Sequence, residues 1–243
     1  MILISALFLS FSLHVTVHHF VHFKPKNKRL ARLGELFFTT ILGLPYHLYE
    51  FQHYNHHRYH NQLEDFTTTW QLKNGKTRPK SFFKYSFLWF LSAKGKENIQ
   101  TALKDGDTSP KKLKKLKIEI VLLLLLYISL AFLSPTGLLV YFINFYLGWC
   151  FCAIINYGQH LPIKYGSTKA YSYNGRIYNF LTFNNGLHFE HHSDPGKKPN
   201  ELTHFNKNLI NQIIFYSKKE LYFTQSLILG CSGIYYLKNI LCF

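Results

Sequence analysis

Apolar and polar positions in this chain fall in long blocks rather than in short alternation. Met1 to Phe23 carries no Lys, Arg, Asp or Glu. Ile118 to Leu133 holds one charge, Glu119, near its start, and Leu138 to Ile155 holds none. Between the last two lies Ser134-Pro135-Thr136-Gly137, a tight-turn sequence. Blocks this long and this uniform predict membrane-spanning helices, at about 1–23, 118–134 and 138–156. At 1.5 Å per residue the second and third apolar blocks reach about 24 and 27 Å, short of a hydrocarbon core near 30 Å unless flanking turns contribute. A helical hairpin buried in a soluble core is the competing reading, and helices so apolar all round are unusual there. The first block lacks a basic start and a small-residue cleavage site, so it reads as a retained helix rather than a secretory leader.

Shorter apolar stretches fill in the plan. Leu36 to Tyr49 contains Gly43 and Pro45 and is too short for a full span, which predicts a re-entrant segment at about 36–49. Phe82 to Leu91 reads as an aromatic-rich interfacial helix. Leu221 to Leu237 is diluted by Gln225, Ser226, Gly230, Ser232 and Gly233, which suits either the membrane surface or the bundle.

Charge orients the chain. There are 28 Lys and Arg against 12 Asp and Glu, a formal net charge of +16. The basic residues gather in Lys24 to Arg32 and in Lys73 to Lys117, while the turn at 134–137 has none. That is the positive-inside pattern of a membrane protein and argues against nucleic acid as partner. Lys111, Lys112, Lys114, Lys115 and Lys117 precede a span and read as a solvated anchor to anionic headgroups. Ser109 or Thr108 is placed to cap that helix, with Pro110 at its first position. Cys150, Cys152, Cys231 and Cys242 form no C-x-x-C pair and read as apolar filler without a disulfide. A length of 243 residues fits one domain, 1–243.

The candidate chemistry is in the histidines. H-x-x-H-H occurs twice, at His53, His56, His57 and at His188, His191, His192. On a helix the first His of each motif shares a face with the other two. Clustered imidazoles repel when protonated and desolvate badly when unpaired, and a bound metal resolves both problems. With the N-terminus outside, three crossings bring His14 to His22, His53 to His60, His160 and His188 to His192 to the cytoplasmic boundary.

With these motifs in order, the chain resembles the membrane fatty acid desaturase superfamily, which also holds lipid and carotenoid oxygenases. The family's H-x-x-x-H box is matched by His14 and His18, with His19 adjoining. Its two H-x-x-H-H boxes are the two motifs above. An N-x-x-x-H element is matched by Asn156 and His160. Relatives carry at least one more span ahead of the first box, which here has 13 residues before it.

The resemblance implies an all-α integral membrane helical bundle with a cytoplasmic-face cap carrying the histidine boxes. It implies two iron ions in a non-haem di-iron site, O₂ as co-substrate and a lipid substrate. His14, His18, His53, His57 and His191 would hold one iron. His56, His160, His188 and His192 would hold the other, with Asn156 touching it through water. Imidazole suits several metals equally, so the choice of iron comes from the family. Neutral ligands around dications call for carboxylates that orient the rings, and Glu64, Asp65 and Glu190 are the candidates. The implied activity is insertion of a double bond into a fatty acyl chain of a lipid or thioester. A lipid or carotenoid hydroxylase or ketolase shares the boxes, and a non-catalytic metal-binding membrane protein is the reading from another class. Electrons would come from a separate carrier of ferredoxin or cytochrome b5 type, since no haem-attachment, Fe–S or dinucleotide motif is present. His22 and His47 read as facing headgroups or backbone partners. His60 has no family counterpart, and His204 lies in a polar tail.

Overall fold

The elements, in chain order, are α1 (Ile2–His22), α2 (Lys28–Leu42), α3 (Tyr46–Tyr59), β1 (Trp70–Lys73), β2 (Lys76–Pro79), α4 (Phe82–Phe87), α5 (Gly95–Lys104), α6 (Pro110–Leu133), α7 (Pro135–Gln159), α8 (Arg176–Leu181) and α9 (His188–Ser193). Short 3₁₀ turns cover Trp89–Ser92 and Pro199–Glu201. The structure is a computed structural model that describes residues 1–92, 94–161, 165–166, 170–173 and 175–202. The side chains of His14 and Ser92 are not among those described, and the 221–237 stretch, His204, Cys231 and Cys242 lie outside the described residues.

The chain is mostly helical, and α1, α6 and α7 are each long and apolar enough to cross a membrane. The flanking turns do contribute. Helix α6 starts at Pro110, where Ser109 Oγ accepts from Lys112 N–H, and α7 runs on to Gln159. The two therefore reach about 36 and 37 Å, enough for the hydrocarbon core. Val121, Leu124, Leu125 and Ile128 on α6 and Leu139 and Phe142 on α7 are all exposed. A soluble core would cover such a surface, whereas lipid solvates it. Helix α1 packs along α7, with Gly148 closing on Leu9: a Cβ there would come within 2.7 Å of the leucine side chain.

The segment expected to re-enter resolves into two helices, α2 and α3, joined at Gly43. Gly43 has φ 62°, and a Cβ there would meet the Phe145 ring at 2.7 Å, so only glycine turns the chain here. The carbonyls left open at the end of α2 are satisfied by side chains of the long helices. Tyr127 Oη donates to Gly43 O at 2.6 Å, Tyr141 Oη to Thr40 O at 2.6 Å, and Trp149 Nε1 to Leu42 O at 3.2 Å. Tyr127 lies about 25 Å along α6 from Pro110, so the turn is carried deep between the long helices.

Buried charge fixes the other end of this hairpin. Glu119 of α6 is fully buried; its Oε2 accepts from the His47 backbone N–H at 3.0 Å and its Oε1 bonds His47 Nδ1 at 2.7 Å. Helix α3 begins after Pro45 with no side-chain cap of its own, so a carboxylate from another helix caps it, the charge its positive end favours. Arg32 bridges Glu119 at 2.7 Å and Glu35 at 3.1 Å. Lys115 also holds Glu35, Lys112 holds Glu50, and Lys24 reaches both Glu35 and Glu50. Burial alone would raise the Glu35 pKa, but Lys115, Lys24 and Arg32 bring it to about 2. Two expectations are corrected here. His47 faces Glu119 inside the bundle rather than headgroups, and Lys112 and Lys115 neutralise buried carboxylates rather than forming part of a wholly solvated run.

Residues 82–92 also differ from a surface-lying helix. They descend along α7, with ring contacts from Phe82 to Tyr157 (5.4 Å), Trp89 to Trp149 (5.7 Å) and Phe90 to Tyr146 (6.3 Å). Aromatic faces on both elements offer more buried area than the interface would. The β1–β2 hairpin turns at Asn74-Gly75, both at positive φ, which the helical reading did not foresee.

Glu119→Ala should strand Arg32 and His47 beside one fewer carboxylate. A loss of about 3 kcal/mol is expected, the scale of a broken buried pair, read as a fall in the thermal midpoint of the purified protein in detergent. Lys111→Ala, on the exposed side of the same helix, should leave the midpoint unchanged.

Candidate metal centre

Two neighbouring helices supply most of the histidines. On α3, His53, His56 and His57 follow i, i+3, i+4 spacing, and α9 repeats it with His188, His191 and His192. The end of α1 adds His18 and His22, and the residue after α7 adds His160. Their ring nitrogens converge in two groups, each with ligand atoms within 4.8 Å of one another.

The first group is His18, His22, His53 and His191. His22 Nε2 lies 2.8 Å from His53 Nε2. His57 stands against it, with Nε2 3.0 Å from His191 Nε2. The Tyr49 ring stacks on His53 at 5.9 Å and 11°.

The second group is His56, His160, His188 and His192, all buried. His160 Nε2 and His188 Nε2 are 3.0 Å apart. Because α3 and α9 each feed both groups, the two lie side by side: the rings of His53 and His56 are 6.3 Å apart, and those of His18 and His188 6.1 Å.

The loop after α3 aims the second group. The chain leaves α3 through His60 and Asn61, both at positive φ. Asp65 is buried; its Oδ2 takes His56 Nδ1 at 2.7 Å and the Asn61 N–H at 2.9 Å. Its Oδ1 takes the Thr67 N–H and Oγ1–H, both at 2.7 Å. Burial alone would raise the Asp65 pKa, yet the His56 ring and the Thr67 donors hold it below the usual carboxylate range. A proton held on His56 Nδ1 leaves the lone pair on Nε2, the atom that faces the group. His60 Nδ1 meets His192 Nδ1 at 3.3 Å, which turns His192 Nε2 toward the group. Thr69 Oγ1 and Asn61 Nδ2 both donate to the His160 carbonyl, at 2.7 and 3.2 Å.

These rings are suited to the neutral, metal-binding form. Burial, and then the neighbouring rings, push the pKa values of His53, His57, His188, His191 and His192 well below the usual histidine range. His56 Nε2 and His192 Nε2 are buried with no hydrogen-bond partner. Unpaired buried nitrogens cost free energy that a shared cation would remove. Two nitrogens at right angles on one ion, about 2.1 Å from it, stand about 3 Å apart. The Nε2 pairs at 2.8 and 3.0 Å match that spacing. The donor set therefore fits two metal ions.

The other expected site residues are found as follows. Glu64 is exposed, and its carbonyl rather than its carboxylate is used, accepting from Asn55 Nδ2 at 3.3 Å. Glu190 is buried on α9 and accepts from Ser172 Oγ, which also takes the Phe189 N–H at 2.9 Å. Asn156 Nδ2 donates to Tyr85 Oη. His22, expected at headgroups, instead stands in the first group. Its signal is in the sequence: H-x-x-x-H reads equally from His18 to His22, a register that overlaps the one from His14 to His18. A wide π-turn, Ser12–Val17, takes in His14 and ends just before His18, and it breaks the 3.6-residue count there. Glu35, His47 and Glu119 also converge, but Arg32, Lys24 and Lys115 already compensate those carboxylates, which leaves no call for a dication.

No curated protein matches the chain, and no solved structure does. The sequence does match the Fatty acid desaturase family over residues 1–222, a range that takes in every element and every histidine described above. Oxidoreductase activity on a lipid, in a membrane setting, comes with that match, because the chain belongs to the fatty acid desaturase family.

Proposed function

We propose that this protein is an O₂-dependent di-iron desaturase that introduces a double bond into a fatty acyl chain of a lipid or thioester. The observation that carries this reading is the pair of largely buried histidine groups, each with ring nitrogens within 4.8 Å of one another, at the ends of apolar helices. In this reading His18, His53, His57 and His191 hold one iron, together with His22, which stands in the first group, or with His14 in the other register. His56, His160, His188 and His192 hold the second. Two irons, when bound, would supply the O₂-dependent removal of hydrogen from an unactivated C–H bond.

The chain's own residues do the rest. Asp65 and His60 fix which nitrogen of His56 and His192 faces inward. Glu190 anchors α9 through Ser172. Tyr49 and Trp149 exclude water on the membrane side of His53. The excess of Lys and Arg supports a histidine end at the cytoplasmic face, where a separate ferredoxin or cytochrome b5 type carrier would deliver electrons. A transporter would need polar side chains along a path through the spans. Asn144 is instead used by Ser5 in helix packing, and Asn156 by Tyr85.

Expression in a host under air, with lipids analysed by mass spectrometry, should show an acyl species lighter by two hydrogens. His188→Ala should abolish it. Gain of one oxygen instead would assign the hydroxylase reaction of the same site. A purified protein with a single zinc would overturn the di-iron reading.

Asp65→Asn tests the orienting carboxylate. An amide that still accepts from Thr67 turns its NH₂ toward His56 Nδ1 and drives the proton to Nε2. Iron in the second group should then be held about 10–100-fold more weakly. Metal analysis should find close to one iron per chain in place of two. Full iron content in this variant would remove the assignment.

A further inference from the structure

Tyr85 lies on α4, outside every motif that carries the resemblance. Its ring is half-buried against Tyr157 of α7, with centroids 5.3 Å apart. Its hydroxyl makes two bonds. It accepts from Asn156 Nδ2, one turn before His160 on α7. It donates to the Thr67 carbonyl at 2.7 Å. Thr67 is the residue whose N–H and Oγ1 both hold Asp65 Oδ1, and its Oγ1 also stands 2.9 Å from His56 Nδ1. One phenol oxygen thus joins the turn of α7 that presents His160 to the loop that sets the proton on His56.

We infer that Tyr85 is a positioning residue of the second histidine group, and that Asn156 acts on that group through Tyr85 rather than through a water on the metal. The inference rests on the reading that His56, His160, His188 and His192 hold a metal ion. The physical reason is the direction of the chain of bonds. Asn156 gives one of its two amide N–H donors to Tyr85. Tyr85 can donate only once, and that proton goes to Thr67 O. With its carbonyl held by Tyr85 and the Thr68 N–H on the Asp65 carbonyl at 3.0 Å, the peptide unit that follows Thr67 is fixed, which restricts ψ of Thr67 and helps keep its N–H and hydroxyl on Asp65. Asp65 then keeps its other oxygen on His56 Nδ1. The bonds from Thr69 and Asn61 to the His160 carbonyl tie the same loop to α7 but do not touch Thr67. Without the phenol, Thr67 loses its one side-chain tether to α4 among the described residues.

The test is Tyr85→Phe in the full-length, iron-loaded protein. It keeps the ring packing and removes the hydroxyl. Tyr157→Phe is the control, since its hydroxyl donates to Lys80 O at 3.1 Å on the same seam without reaching Thr67. Iron content, release to a chelator and Mössbauer spectra are read for wild type and both variants. In Tyr85→Phe one of the two iron sites should lose metal about ten-fold faster, with its spectral component altered and the other component retained. Tyr157→Phe should behave as wild type. Two irons released at the wild-type rate from Tyr85→Phe would overturn the inference. So would equal loss from both sites with a lowered thermal midpoint, which marks a structural role alone. Failure of the wild-type protein to hold two irons would instead overturn the di-iron reading beneath it.

Discussion

A concentration of imidazoles in a dry space works only if every ring stays neutral and every lone pair points inward. That constraint organises the histidine-bearing end of this fold. At His53, His188 and His192 protonation is opposed by burial and by the neighbouring rings, which favours the form that binds metal. Aim is a separate problem, because a neutral imidazole has two tautomers and only one is useful. The second group solves it at His56 with a carboxylate, which can only accept. The carboxylate must itself be held, which is why the short loop from Asn61 to Thr69 is so densely hydrogen-bonded.

The remaining charges are kept away from the rings and do different work. Glu35, Glu50 and Glu119 are buried in the bundle, each matched to Lys or Arg. Buried pairs of this kind contribute little net stability but make the wrong arrangement costly. Here they pin α2 and α3 against α6. Since α3 carries His53, His56 and His57, the pairing of Glu119 with the first turn of α3 sets the axis on which three rings are hung. At the far end of the hairpin, Tyr127, Tyr141 and Trp149 do the equivalent service for backbone carbonyls.

The long spans were legible because lipid imposes a one-dimensional signal, an unbroken apolar block. Their ends were not, since the polar turns from Pro110 to Lys117 are helical through capping and charge pairing rather than apolarity. The H-x-x-H-H motifs were legible because a helix converts i, i+3, i+4 spacing into one face. The first box was ambiguous because H-x-x-x-H overlaps itself at His18 and a π-turn interrupts the phase just before it. Asp65 could be nominated from its nearness to box two, whereas Glu64, its neighbour, points to solvent; sequence distance does not carry direction. Contacts such as Glu119 with His47 or Tyr85 with Thr67 join residues far apart in the chain, and no local pattern encodes them.

The helices that complete the site are short. α8 and α9 each have six residues, well below the length at which an isolated helix persists in water. What orders them is a few bonds to the end of α7: Gln159 Nε2 to Asn185 O at 3.1 Å and the Tyr171 N–H to Gln159 O at 2.8 Å, together with Ser172 on α9. His188 faces His160 across that same junction. Ligands on a marginal element and on a rigid span make metal affinity and local folding one free energy. The span supplies the fixed half of the site, and a metal shared with α9 would supply much of the stability that α9 lacks. A six-residue helix can therefore hold three histidines in place only because it is docked at the end of a long apolar helix.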